Sequence, residues 1–133
     1  MLETKILKRG DDSGNGTLLQ YTTPTGAIIK AIGVPQSWQS TLGPTWCYII
    51  EGDDITIVDP GCYGSISYLE QGLEQLGHSL ADVARIVVSH GHMDHDGSCP
   101  PVIQKSGAEH VSYTHLRAHE TEADLVCRLL LEK

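Results

Sequence analysis

The run Arg85-Ile86-Val87-Val88 constrains this chain more than any other stretch. Three of its four residues are β-branched and apolar, with no polar alternation, so it reads as a strand buried on both faces. Such a strand needs a covering layer on each side, and helices packed on a sheet supply it. The flanking patterns agree. Residues 46–51 (WCYIIE) and 55–59 (ITIVD) are β-rich runs separated by Gly52-Asp53-Asp54, a hairpin signal. Pro60 and Gly61 stop the second run. Ile66, Leu69, Leu73 and Leu76 then recur at helical spacing, with Gly77 placed to close the helix. Leu80, Val83 and Ala84 suggest a short helical turn leading into residue 85. Pro100-Pro101 fits the first turn of a further helix through Val102-Ile103-Gln104-Lys105. Upstream, residues 18–21 and 27–34 read as strands, the second stopped by Pro35. Residues 10–16 read as a loop, and residues 37–44 as a polar turn whose only large side chain is Trp38. The expected class is α/β.

Composition narrows the function. The chain has 133 residues and a net charge of −8, without the Lys and Arg clusters of a nucleic-acid surface. No run approaches the roughly 18 apolar residues that suggest a membrane span. Residues 1–9 mix Glu3, Lys5, Lys8 and Arg9 with apolar pairs, unlike a signal peptide, so the expected location is cytoplasmic. Cys47, Cys62, Cys99 and Cys127 are widely spaced, with no Cys-x-x-Cys pair, which argues against a disulfide framework or a zinc knuckle. Cys47, inside an apolar run, is expected to be a small core residue. The expected partner is a small-molecule substrate.

Directly after the buried strand come His90, His92, Asp94 and His95, four possible ligands within six residues. Past a strand end, residues i and i+2 project to one side, so His90 and His92 can share one ion. Asp94 and His95 lie where the chain must turn and can face a second. Gly91 lets the backbone pass close to the metal. Imidazole and carboxylate donors suit zinc, and also iron or manganese. A lone histidine is more often a satisfied polar residue, but desolvating this whole group without an ion would be costly.

The string His90-x-His92-x-Asp94-His95 after a buried strand resembles the signature loop of the metallo-β-lactamase superfamily. Ile57-Val58-Asp59-Pro60-Gly61 resembles that family's earlier Asp-x-Gly element, in the right order. The resemblance runs from about residue 43 to residue 107. It implies an αββα sandwich of two similar halves with the metals at one edge, and only about the first half falls in this chain, within residues 1–110. It also implies that His90 and His92 bind the first metal, Asp94 and His95 the second, and that Asp59 is a carboxylate behind them, orienting the loop or accepting an imidazole N–H. The plain alternative for Asp59 is a strand-ending residue that makes a turn with Pro60.

Two zinc ions are the implied cofactors, and the implied function is hydrolysis of an ester, thioester, lactone or amide. A metal-bound hydroxide formed near neutral pH attacks the carbonyl, and one metal stabilises the oxyanion. Asp94 is the implied catalytic residue, orienting the nucleophile and passing a proton to the leaving group. A non-haem iron persulfide dioxygenase shares this loop and is an alternative. Nucleases of the fold also share it, but need a basic surface. A truncated, inactive metal-binding module is a third reading.

The family takes its remaining ligands from the second half, and 38 residues follow His95 (133 − 95). His110, His115, His119 and Asp124 are the remaining candidates, His115 and His119 having i, i+4 spacing. Residues 111–133, however, resemble a translated adapter of the kind used in transposon sequencing libraries. Codons for Val111 to Thr121 and for Leu125 to Glu132 match it, and residues 122–124 fall where a sample barcode would lie. One detail disagrees: the two adapter bases before the Val111 codon cannot end a histidine codon. The alternative is an amphipathic helix using Leu116, Leu125, Leu129 and Leu130. The expectation is a metagenomic gene fragment with a non-native tail at residues 111–133, weak or absent catalysis, and an exposed sheet face meant for a missing half.

Overall fold

A computed structural model describes residues 2–36, 43–90 and 93–112. Seven strands form one sheet in chain order: β1 (Glu3–Lys8), β2 (Leu18–Thr22), β3 (Ile28–Pro35), β4 (Pro44–Glu51), β5 (Ile55–Val58), β6 (Val83–Val88) and β7 (Glu109–Ser112). Strands β1 to β5 are antiparallel neighbours, whereas β5–β6 and β6–β7 are parallel. Parallel pairs need a crossover. The first contains helix α1 (Ile66–Gln75) and a 3-10 turn (Leu80–Asp82). The second contains α2 (Met93–Asp96) and α3 (Cys99–Ser106).

The β4–β5 hairpin forms as its two β-rich runs and intervening turn predict, with Ile49 opposite Ile57. Helix α1 follows its stripe: Leu69 and Leu73 are fully buried, and Ile66 and Leu76 pack at the margin. Each buried leucine contributes about 1.5–3 kcal/mol. The helix closes on Gly77, at φ 89°, with His78 N–H bonded to the Leu73 carbonyl at 2.8 Å and Gly77 N–H to that of Glu74 at 3.0 Å.

The period of two along each strand divides the core. Cys47, Ile49, Ile57, Ile86 and Val88 face the helices and join Leu69, Leu73 and Val102 in one cluster. Tyr48, Ile50, Val58, Val87 and Val111 form a second cluster on the opposite face. A sheet with helices on one face and apolar side chains on the other is the layering of half an αββα sandwich.

Three local expectations need correction. Val83 and Ala84 are strand, not helix: the 3-10 turn, opened by the Ser79–Asp82 capping box, stops at Asp82, and Val83 is already extended at φ −73° and ψ 118°. Strand β1 had no pattern to betray it, because all six residues are exposed on an edge. Strand β7 was likewise not anticipated and spans Glu109–Ser112. Val111 pairs with Val87 and Ser112 with Val88. Residues 113–133, with His115, His119, Asp124 and Cys127, lie outside the described residues.

Candidate metal centre

Strands β5 and β6 are parallel and in register at Val58–Val87, so their C-terminal ends bring Asp59 and Ser89 together. This is the edge where open parallel sheets place their ligands. Asp59 is 5% exposed and adopts φ 57°, the only positive value for a non-glycine among the described residues. Aspartate tolerates that region better than most residues. Its backbone N–H donates to the Val87 carbonyl at 2.9 Å.

Both carboxylate oxygens of Asp59 are engaged. Oδ1 accepts the Ser89 backbone N–H at 2.8 Å, and Oδ2 accepts the Ser89 hydroxyl at 2.6 Å. The same Oδ2 lies 3.1 Å from His95 Nδ1. Ser89 Oγ in turn lies 2.8 Å from His90 Nδ1. The His90 and His95 rings sit with centroids 4.1 Å apart and planes at 50°. Asp59, His90 and His95 therefore offer ligand-type atoms within 4.8 Å of one another, two imidazoles and a carboxylate, a donor set that fits zinc.

Serines and cysteines fasten the loop that carries this group. Gly61 N–H donates to the His95 carbonyl at 3.0 Å, and Ser98 N–H to the Gly61 carbonyl at 2.9 Å. Hydroxyls of Ser65 and Ser98 both donate to the Cys62 carbonyl, at 2.7 and 2.6 Å. The Cys62 thiol donates to the Pro35 carbonyl at 3.0 Å. Burial pushes the Cys47 thiol well above its ordinary range, reinforced by Asp59, Cys62 and Cys99. Burial, then Asp96 and Asp59, push Cys99 up to about 12. The clustered ligand-type atoms belong to Asp59, His90 and His95, so imidazole and carboxylate are the donors on offer.

Of the residues singled out from sequence, Asp59, His90 and His95 are brought together. His92 lies outside the described residues; Asp94 belongs to α2, and its side chain is not described. His110 is exposed on β7 and is not one of the three clustered ligands; it lines a cavity of about 370 Å³ with Val88, Asp96 and Cys99. Sequence reasoning missed Ser89. The available signal was a hydroxyl directly between a buried strand and the first histidine.

Residues 40–133 match the family model of the metallo-beta-lactamase superfamily, and the chain belongs to that superfamily. Among solved structures, native FEZ-1 metallo-beta-lactamase from Legionella gormanii aligns with TM-score 0.52 at 15% identity, over 62% of this chain and 29% of that one. A Cronobacter sakazakii metallo-beta-lactamase aligns with TM-score 0.52 at 22% identity, over 62% and 30%. MEM-A1, a subclass B3 metallo-beta-lactamase from a soil metagenome library, aligns with TM-score 0.51 at 25% identity, over 62% and 28%. This chain thus spans less than a third of the length of each. A search of curated proteins finds no match. Among the described residues, no helix is long and apolar enough to cross a membrane.

Proposed function

We propose that this chain carries part of the dinuclear zinc centre of a hydrolase that cleaves an ester, thioester, lactone or amide bond. The observation that supports this best is the buried Asp59–Ser89 pair, with His90 and His95 hydrogen-bonded to it at the C-terminal edge of the parallel strands. Membership of the superfamily adds to it. His90 and His92 would hold the first zinc, Asp94 and His95 the second. Bound zinc supplies Lewis-acid activation of water and of the substrate carbonyl. Asp94 would orient the attacking water and carry a proton to the leaving group. Asp59 stays behind the ligands: its two oxygens already accept from Ser89 and lie against His95.

Equilibrium dialysis against zinc, paired with ester, thioester, lactone and β-lactam substrates, tests the reading. Zinc binding that is lost in His90→Ala and His95→Ala variants is expected. Iron content with dioxygen consumption on a persulfide would favour the dioxygenase instead. Failure to bind any divalent metal would overturn both.

A further inference from the structure

We propose that Ser89 is a positioning residue that couples His90 to the Asp59 carboxylate, so that one buried acid sets the tautomer of both His90 and His95. The inference rests on the zinc-centre reading above and assigns Ser89 a role that reading leaves open.

A hydroxyl has one hydrogen to donate. Ser89 Oγ has two close polar neighbours, Asp59 Oδ2 at 2.6 Å and His90 Nδ1 at 2.8 Å. An ionised carboxylate only accepts, so the Ser89 hydrogen points to Asp59. The serine oxygen must then accept, and its donor is the Nδ1–H of His90. The same Oδ2 faces His95 Nδ1 at 3.1 Å, so that nitrogen also carries its hydrogen. In a neutral imidazole the lone pair is then on Nε2. Both rings therefore present Nε2 as the ligand atom, His95 through direct contact and His90 through the serine.

Burial makes the relay consequential. Asp59 is 5% exposed and Ser89 6%, so bulk water competes poorly for these bonds. The Ser89 backbone N–H already holds Oδ1, which fixes the carboxylate independently of the hydroxyl. Removing the hydroxyl therefore takes away the acceptor facing His90 Nδ1 while the Asp59–His95 contact survives. Partners of this kind fix ring orientation and ligand basicity in metal sites.

The test is long-range 1H–15N correlation of the imidazoles in the full 133-residue chain without metal. The wild-type protein is expected to show His90 and His95 protonated on Nδ1. In Ser89→Ala, His90 should shift towards the Nε2–H form while His95 is unchanged. Ser89→Thr, which keeps the hydroxyl, should restore His90, and Asp59→Asn should disturb both rings. Zinc affinity by chelator competition should fall about 10- to 100-fold in Ser89→Ala and recover in Ser89→Thr. A wild-type His90 protonated on Nε2, or His90 shifts unchanged in a folded Ser89→Ala protein, would overturn the proposal. Should Ser89→Ala fail to fold, the wild-type spectrum and Ser89→Thr decide. Absence of zinc binding with the expected tautomers would instead count against the zinc-centre reading alone.

Discussion

Gly61 donates its backbone N–H to the carbonyl of His95, 34 positions away in sequence (95 − 61), at 3.0 Å. The bond ties the turn after β5 to the short helix that carries the last residue of the histidine loop. Gly61 has φ 106°, and a Cβ there would lie 2.7 Å from Val34 Cγ2. No other residue type fits without moving the turn. Gly61→Ala should therefore destabilise the fold by about 2–4 kcal/mol, combining backbone strain with overpacking. Urea unfolding measures the first effect. Weaker zinc binding at matched folded fraction would show that the turn also positions His95.

Asp59 separates charge from shape. Asp59→Asn keeps the volume but removes the charge, so zinc affinity should fall about 10- to 100-fold with a smaller change in stability. Asp59→Ala leaves the buried Ser89 N–H and hydroxyl without their acceptor, at about 1–3 kcal/mol for each unsatisfied group. Chemical denaturation of both variants, with chelator competition, should separate the two effects. Equal loss of stability in both would contradict this division.

Glu51 sets an acid limb for stability. Partial burial opposes its charge, but hydrogen bonds from His78 and Lys30 outweigh that and lower its pKa below the ordinary value of 4.5. A folded-state value below the unfolded one contributes stability that is complete above about pH 4.5 and is lost as pH falls through the folded value. Glu51→Gln should therefore be less stable than wild type at pH 7, and the gap should narrow at pH values progressively below about 4.5. Unfolding free energies measured across that range check the sign.

Gly72 governs how closely α1 approaches β3. A Cβ at that position would meet Ile32 Cγ2 at 2.7 Å and Cδ1 at 2.8 Å. Gly72→Ala should cost about 1–3 kcal/mol by overpacking, despite the better helix propensity of alanine. Ile32→Val removes one of the clashing carbons, so the double variant should recover part of the loss. A double-mutant cycle measures that coupling. Simple additivity would show that the helix moves away as a unit.

Much of the fold was legible where the signal is local. The β4–β5 hairpin follows from two β-rich runs around Gly52-Asp53-Asp54, and α1 from four apolar residues at helical spacing. Burial of β6 follows from its uninterrupted β-branched run. Strand β1 carries no such record, because an edge strand with six exposed residues has no buried face to impose a period. The start of β6 was misplaced for a related reason. Apolar Val83 and Ala84 satisfy helix and strand patterns equally, and pairing of Val83 and Arg85 with β5 decides for strand.

The site divides along the same line. Its chemistry is written in the sequence, because ligand-type side chains lie within a few residues just past a strand end, and Asp59 ends another. Which of them meet was a tertiary decision. Parallel pairing of β5 with β6 brings Asp59 beside Ser89 across 30 positions, and the Gly61–His95 bond returns the short helix to the same turn. Ser89 acquires a role only through that pairing. Residue types and spacings specify which groups can bind a metal, but a hydrogen-bond partner depends on distances that only the packed sheet sets.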